Sequence, residues 1–356
     1  MVDVSDAPPQ RLLIVRPSAL GDVARTVPAL ASLRAAFGQA RIDWLVRDHF
    51  ADAIGHHPDL DAVVEFPRSR FHRFGRSWSV TREALAWMAD LRQRRYDRVY
   101  DLQGLFRSGL FTFASRAPRR VGLADARELA TLGYNVRHTV EPGHTVDRML
   151  GLLEADGIAA VRDMRLYVSD ADRDWAERFL SDHGIDGGPI AVVAPTANWL
   201  CKQWPIERFA ALADRLKAFD LDRAIVVGSA GEREQAAPIF DACRRARCID
   251  AIGRTRVGQL MALIERCAIA LCNDSAALHL AVGMGRRCLG IYGPTDPATV
   301  GPYRYEQAIV AADVDRPVRY RGQKDDQTLI SRVSVEQAWA GVERVMAAPP
   351  PTCVHA

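Results

Sequence analysis

The chain has no apolar run approaching the length of a bilayer span, no C-x-x-C pair and almost no lysine. The first absence leaves no candidate for a transmembrane helix, and the second removes the commonest zinc and dithiol signatures. Of 47 basic residues only Lys202, Lys217 and Lys324 are lysine. A lysine kept against that arginine bias draws notice, because an ammonium and a guanidinium differ in shape and hydrogen bonding. Charge of one sign is also missing. A net charge of +3 over 356 residues is far from the basic stripe that nucleic acid requires, so no nucleic-acid partner is expected. The small excess sits in residues 1–150, which hold five more basic than acidic groups, and it suits an anionic partner for that half. The opening residues carry Asp3, Asp6 and two prolines, unlike a signal or transit peptide, so a cytoplasmic chain is expected.

Seven cysteines are present, six of them between Cys201 and Cys288. The pairs Cys243/Cys248 and Cys267/Cys272 each straddle a helix end and a strand, so buried, reduced thiols are expected rather than a metal site. The length is ample for two α/β domains, and no internal repeat is visible.

Apolar runs at 11–16, 42–46, 62–65 and 98–102 predict strands, with helices at 23–37 and 80–95 between them. The pattern restarts with strands at 190–194, 223–227, 269–272 and 288–292 and helices at 206–219, 232–245 and 257–266. Strands alternating with helices predict mostly parallel sheets covered on both faces. The polar, glycine-rich stretch 181–189 reads as the hinge. The expected division is therefore a first domain over 1–180 and a second over 181–333, facing each other across a cleft. A last helix at 334–348 could return to the first domain, and a Pro-rich tail at 349–356 is expected to be flexible.

Chemistry gathers at the strand ends. After the first strand comes Pro17-Ser-Ala-Leu-Gly-Asp22, with none of the G-x-G-x-x-G of a dinucleotide-binding domain. Asp22 lies where turn becomes helix, a position that suits an N-cap and equally a general base for a hydroxyl. Asp274 and Ser275 open a small-residue helix after the strand at 269–272. Free N–H groups at such a helix start can seat a diphosphate without a metal.

Three stretches resemble the bacterial lipopolysaccharide heptosyltransferases of glycosyltransferase family 9. They are Ser18-Ala-Leu-Gly-Asp22, Asp274-Ser-Ala-Ala-Leu-His279 and Tyr292-Gly-Pro-Thr-Asp-Pro297. Lys202-Gln-Trp-Pro205 and Asp101-Leu-Gln-Gly-Leu-Phe-Arg107 match as well. Ala126-Arg-Glu-Leu-Ala-Thr-Leu-Gly-Tyr-Asn135 is nearest the branch that adds the first heptose of the inner core. The likeness runs from about Arg11 to the last helix.

The resemblance implies a GT-B fold of two Rossmann-like domains with parallel sheets and an inverting transfer from ADP-heptose. It implies no cofactor and no essential metal. The acceptor would be a Kdo-containing lipid A, met by a monomer at the cytoplasmic face of the inner membrane. It makes Asp22 the catalytic base and gives Lys202 the leaving diphosphate, assisted by the N–H groups near Asp274 and Ser275. Thr196 would bond a phosphate and Glu232 the ribose, although Glu232 also fits a helix-dipole partner. His279 fits a packed core histidine as well as a donor contact. Ala276 stands where many relatives have glycine, and its methyl bears on how closely a phosphate can approach.

For the acceptor, Ser18, Gly21 and Gln103 lie in the first-domain motifs. Arg107 and Arg120 could hold carboxylates in bidentate fashion. The segment 67–78, with Arg68, Arg70, Arg73 and several aromatics, is either a solvated loop or a grip on an anionic, membrane-attached saccharide. Arg127 and Glu128 could form an ion pair. Alternatives stay open: another nucleotide sugar or acceptor (O-antigen or protein), or a non-catalytic sugar-nucleotide binding module.

Overall fold

Hydrophobic runs that are buried on both faces nucleate two parallel sheets. The computed structural model describes residues 8–313 and 324–355, and the chain divides into units at Asp163/Met164.

The first unit holds β1 (Arg11–Val15), α1 (Leu20–Ala36), β2 (Arg41–Arg47), β3 (Ala62–Phe66), α2 (Trp78–Gln93) and β4 (Arg98–Asp101). It continues with α3 (Phe106–Ala114), β5 (Arg119–Leu123), β6 (Val136–His138), α4 (Thr145–Ala155) and the two-residue β7 (Arg162–Asp163). Six of its strands form one sheet in the order β3-β2-β1-β4-β5-β6, with every pairing parallel. Leu12 through Val15 are wholly buried, as a central strand covered on both faces must be.

The second unit repeats the plan. It comprises α5 (Asp170–Asp182), β8 (Ile190–Ala194), α6 (Ile206–Arg215), β9 (Arg223–Val226), α7 (Arg233–Ala236), α8 (Pro238–Ala242), β10 (Arg247–Asp250) and α9 (Val257–Arg266). Then come β11 (Cys267–Asn273), α10 (Ala276–Gly283), β12 (Cys288–Tyr292), α11 (Pro297–Val300), β13 (Ile309–Ala311) and α12 (Val335–Ala347). The sheet order is β10-β9-β8-β11-β12-β13, again all parallel. In both sheets the strand order reverses direction beside the first strand. That switch point is where open α/β sheets bind ligands, at the strand C-termini.

Four expectations change. The hinge is not at 181–189, because α5 already belongs to the second unit. The Asp172 carboxylate, buried at the start of α5, pairs with Arg256 at 3.2 Å, and Arg173 pairs with Glu265 at 2.8 Å. The glycine-rich stretch is the turn from α5 to β8, closed by Ile185 N donating to Leu180 O at 2.9 Å.

The last helix packs on its own unit. Gly341 lies so close to β12 and β13 that a Cβ there would stand 2.6 Å from Val310 and 2.8 Å from Leu289. The tail is held as well: Met164 N donates to Cys353 O at 2.7 Å and Pro351 is buried. The helix expected over 232–245 is broken into α7 and α8 because Pro238 has no N–H to continue it.

Cys201, Cys267, Cys272 and Cys288 are buried free thiols, and burial pushes Cys267 up to about 12. Among the described residues no three His, Cys, Asp or Glu side chains gather as a metal site.

Candidate functional site

At the first sheet's switch point the loops after β1 and β4 are tied together. Ser18 N donates to Gln103 Oε1 at 3.1 Å, and Gln103 Nε2 donates to Ser18 Oγ at 3.3 Å. Gln103 is held in turn by Asp101, whose buried carboxylate accepts the Gln103 and Gly104 N–H groups and the Tyr134 hydroxyl. Gly21 is buried in the first turn of α1.

Asp22 occupies the third position of α1, and Ala19 N donates to its Oδ2 at 3.2 Å. The helix-start role is therefore real, though Asp22 serves from inside the helix rather than as its N-cap. Its other oxygen lies 3.3 Å from Arg16 Nη2 and also meets Arg25. Burial alone would raise this carboxyl, but the two guanidiniums outweigh it and hold the group well below the usual carboxylate range. The side chain keeps 30% of its surface exposed, so it is an ionised carboxylate still open to a partner.

Arg16 and Arg25 are functional neighbours the sequence reading missed. A signal existed for each: Arg16 is a charge ending a fully buried strand, and Arg25 stands at the i+3 spacing that pairs charges on a helix.

Beside the Ser18–Gln103 bridge opens a cavity of about 700 Å³, lined in part by Ser18, Gln103, Arg68 and Arg107. Its floor is aromatic. Phe66 lies 4.9 Å from Phe111 and 5.7 Å from Trp87, centroid to centroid. The Arg107 guanidinium stands 5.6 Å over the Phe66 ring. Burial and then the charge of Arg68 push Arg107 down, with Glu128 the acidic group acting against them. Two cations sharing one partly buried cavity make it a place for an anion.

The other predicted arginines lie elsewhere. Arg70 pairs with Glu83, Arg73 is exposed, and neither lines the cavity. Arg120 is taken by backbone: Nε donates to Gly133 O at 2.9 Å and Nη1 to Ala117 O at 2.7 Å. Two of its donors thus tie the turn at 130–133 to the chain at Ala117, and Arg120 does not line the cavity. Glu128 faces the cavity and accepts from Phe106 N at 3.4 Å instead of pairing with Arg127.

At the second switch point the loop after β8 and the end of β11 are joined by Asn273. Its Oδ1 accepts from Trp204 N at 2.9 Å and its Nδ2 donates to Pro195 O at 2.8 Å. Trp204, fully buried, anchors the loop through Nε1 to Val333 O at 2.9 Å. That fixes Lys202, whose Nζ lies 2.5 Å from Asp274 Oδ2 and 5.5 Å over the Trp199 ring. The lysine is 19% exposed and the aspartate 7%.

Helix α10 begins at Ala276, two residues later than expected, with Ser275 as its N-cap and Asp274 before it. Among the described residues Ser275 Oγ is buried with no hydrogen-bond partner, and the first N–H groups of the helix have no acceptor within it. Asp274 thus supplies a counter-charge to Lys202, a role no local sequence signal announces.

Thr196 and Glu232 converge from different loops. A Cβ on Gly228 would stand 3.3 Å from Thr196 Oγ1 and 3.5 Å from Glu232 Oε2. Glu232 Oε2 also accepts from Ser229 N at 2.6 Å, a capping box that uses one of its two oxygens. His279 is buried one turn into α10.

The sequence model of glycosyltransferase family 9 (heptosyltransferase) matches residues 84–327. Lipopolysaccharide heptosyltransferase 1 of Pseudomonas aeruginosa is 28% identical over 309 residues, covering 85% of this chain and 84% of that protein. Lipopolysaccharide heptosyltransferase 1 of Escherichia coli K12 is 26% identical over 317 residues, covering 88% and 97%. Among solved structures, a family 9 glycosyl transferase from Veillonella parvula superposes with TM-score 0.79 at 22% identity, over 95% of this chain and 97% of that one. An E. coli heptosyltransferase with ADP gives 0.73 at 24% identity, over 94% and 99%. These structural likenesses establish the GT-B class of fold.

Proposed function

The chain belongs to glycosyltransferase family 9, and on that footing we propose that it moves heptose from ADP-heptose to a Kdo-containing lipid A acceptor, with inversion at the anomeric carbon. The observation that carries the chemistry is Asp22: an ionised, partly exposed carboxylate at a switch point, beside an arginine-lined cavity.

In this reading the acceptor's anionic sugars enter the cavity, where Arg68 and Arg107 meet their carboxylates and Gln103 and Ser18 orient the ring. Asp22 takes the proton of the attacking hydroxyl. Its weak basicity suffices, because the hydroxyl becomes strongly acidic only once its oxygen bonds to the anomeric carbon. That bond forms as the bond from the anomeric carbon to the diphosphate oxygen breaks, and ADP leaves with the bonding pair. The charge developing on it is met by Lys202 and the N–H groups at the start of α10. Thr196 hydrogen-bonds a phosphate, and the second Glu232 oxygen accepts from the ribose. His279 supports α10 from within.

A second reading has one observation behind it: Ala276 puts a methyl at the first residue of α10, where it can shift a bound diphosphate and so change which nucleotide sugar is preferred. The enzyme works as a monomer on the cytoplasmic face of the inner membrane.

The test is transfer by the purified protein from ADP-, UDP- and GDP-sugars to a Kdo-bearing lipid A, followed by mass spectrometry. ADP-heptose should be the preferred donor. Asp22→Asn should keep donor affinity while turnover falls by about a thousandfold or more. Preference for another nucleotide sugar, or full turnover in Asp22→Asn, overturns the reading.

A further inference from the structure

Scattered exposed apolar side chains are ordinary, but a concentration of them is not. Among the described residues, seven of the nine large apolar side chains left exposed fall between residues 74 and 132 of the first unit. They sit on the segments that build the cavity. Phe74 and Phe106 line it and are exposed at its rim. Trp78, 81% exposed, starts α2, the helix whose Ala84, Trp87 and Met88 line the same cavity. Leu129, 68% exposed, follows Glu128, another lining residue, and Leu132 is 70% exposed one turn on.

The backbone reinforces the point. Glu128 and Leu129 have φ of +54° and +62°, a left-handed conformation that favours glycine or asparagine. A leucine held there with its side chain in solvent carries two costs that a surface asparagine would not. Burying the leucine against an apolar partner would remove the second of these costs.

The charge around these residues names the partner. Arg68, Arg73, Arg76 and Arg107 are exposed on the same segments, and among the described residues only Arg70 there pairs with a carboxylate, that of Glu83. Arginine heads with Trp, Phe and Leu side chains suit the headgroup layer of an anionic bilayer, where apolar tips enter and cations stay at the phosphates. Among the described residues no helix is long and apolar enough to cross a membrane, so a lipid substrate must be met from a surface.

We propose that this apolar and cationic collar docks onto an anionic phospholipid bilayer, with the cavity opening into the headgroup layer. The inference rests on the lipid-linked acceptor proposed above and specifies which face meets the lipid.

The test combines Trp78→Ser, Leu129→Asn and Leu132→Asn, all outside the binding and catalytic machinery. Unfolding midpoints of the wild type and the triple variant first confirm an intact fold. Co-sedimentation then uses vesicles of phosphatidylglycerol with phosphatidylethanolamine, and of phosphatidylcholine alone. The wild type should bind the anionic vesicles, less at high salt, and bind the neutral ones weakly. The triple variant should lose about a hundredfold in partitioning. Its turnover on a fully deacylated, soluble acceptor should equal wild type, while turnover on acceptor embedded in vesicles falls.

Equal vesicle binding by the two proteins overturns the proposal. So does equal binding to both lipid compositions, or a collar-dependent dimer in light scattering with no lipid binding. Vesicle binding that behaves as expected, with no transfer to any acceptor, would instead remove the heptosyltransferase reading and leave the docking face standing.

Discussion

Lys202 and Asp274 meet at 2.5 Å across the second sheet's switch point, one on the loop after β8 and the other just before α10. The lysine proposed to neutralise a leaving diphosphate is thus already neutralised by a carboxylate that would stand near the same phosphates. Each charge keeps the other soluble in a site mostly withdrawn from water. The aspartate also opposes any anion that arrives.

We predict that Asp274→Asn tightens ADP binding. A like charge a few ångströms from a phosphate, in a partly wet and screened site, costs on the order of 1 kcal/mol, so affinity should rise roughly fivefold. Lys202→Ala should weaken it about tenfold or more, since a charged hydrogen bond is lost. Titration calorimetry with ADP distinguishes the two. If Asp274→Asn weakens binding as much as Lys202→Ala does, Asp274 positions the ammonium rather than opposing the nucleotide.

The Asp22 carboxyl carries a prediction about pH. Burial would raise it, yet Arg16 and Arg25 hold it well below the usual range. A depressed folded value contributes stability above the unfolded carboxyl value, near 3.9. That contribution is lost as pH falls through the lower folded value. Stability measured by urea unfolding should therefore differ between wild type and Asp22→Asn at about pH 7, and the gap should shrink toward pH 3. The profile of kcat/KM should show no acid limb from this residue between roughly pH 5 and 8. An acid limb near pH 6 that vanishes in Asp22→Asn would mean the carboxyl is not held down.

The contrast between these two residues shows what the sequence reveals. Asp22 and Lys202 were legible because each follows a hydrophobic strand too buried to be anything but central, so the turn after it must reach the ligand edge. Their partners were not. Asp274 is 72 residues from Lys202, and although Arg16 and Arg25 each leave a signal, their meeting on one Asp22 oxygen appears only in the folded turn. The aromatic floor likewise gathers Phe66, Trp87 and Phe111 from a strand and two helices.

Edge strands escaped for a different reason. Val136–His138 is three residues with no apolar alternation, so it is a strand only because β5 lies beside it. The domain boundary differs because glycines at 184, 187 and 188 mimic a hinge, while the pairing of buried Asp172 with exposed Arg256 that assigns α5 leaves no local trace.

Gly109 sets two local rules against each other. It lies inside α3, where helix propensity alone favours alanine by about 1 kcal/mol. Packing opposes the change. A Cβ on Gly109 would stand 2.6 Å from Ala130 O and 2.7 Å from Ala130 Cα, and Gly133 closes on Gly109 O from the same side. These neighbours are backbone and cannot swing away as a side-chain tip could, so α3 and the turn at 130–133 must part. Overpacking of that kind costs about 1–3 kcal/mol, enough to outweigh the propensity gain.

Gly109→Ala should therefore destabilise the protein by up to about 2 kcal/mol in urea unfolding. Because Leu105, Phe106, Arg107 and Leu110 of the same segment line the cavity, KM for the acceptor should rise while ADP affinity holds. Gly143→Ala, whose Cβ would meet nothing within 4 Å, is the control and should change neither. A stabilised Gly109→Ala variant with unaltered KM would show that α3 can shift without cost and that the cavity wall does not depend on this contact.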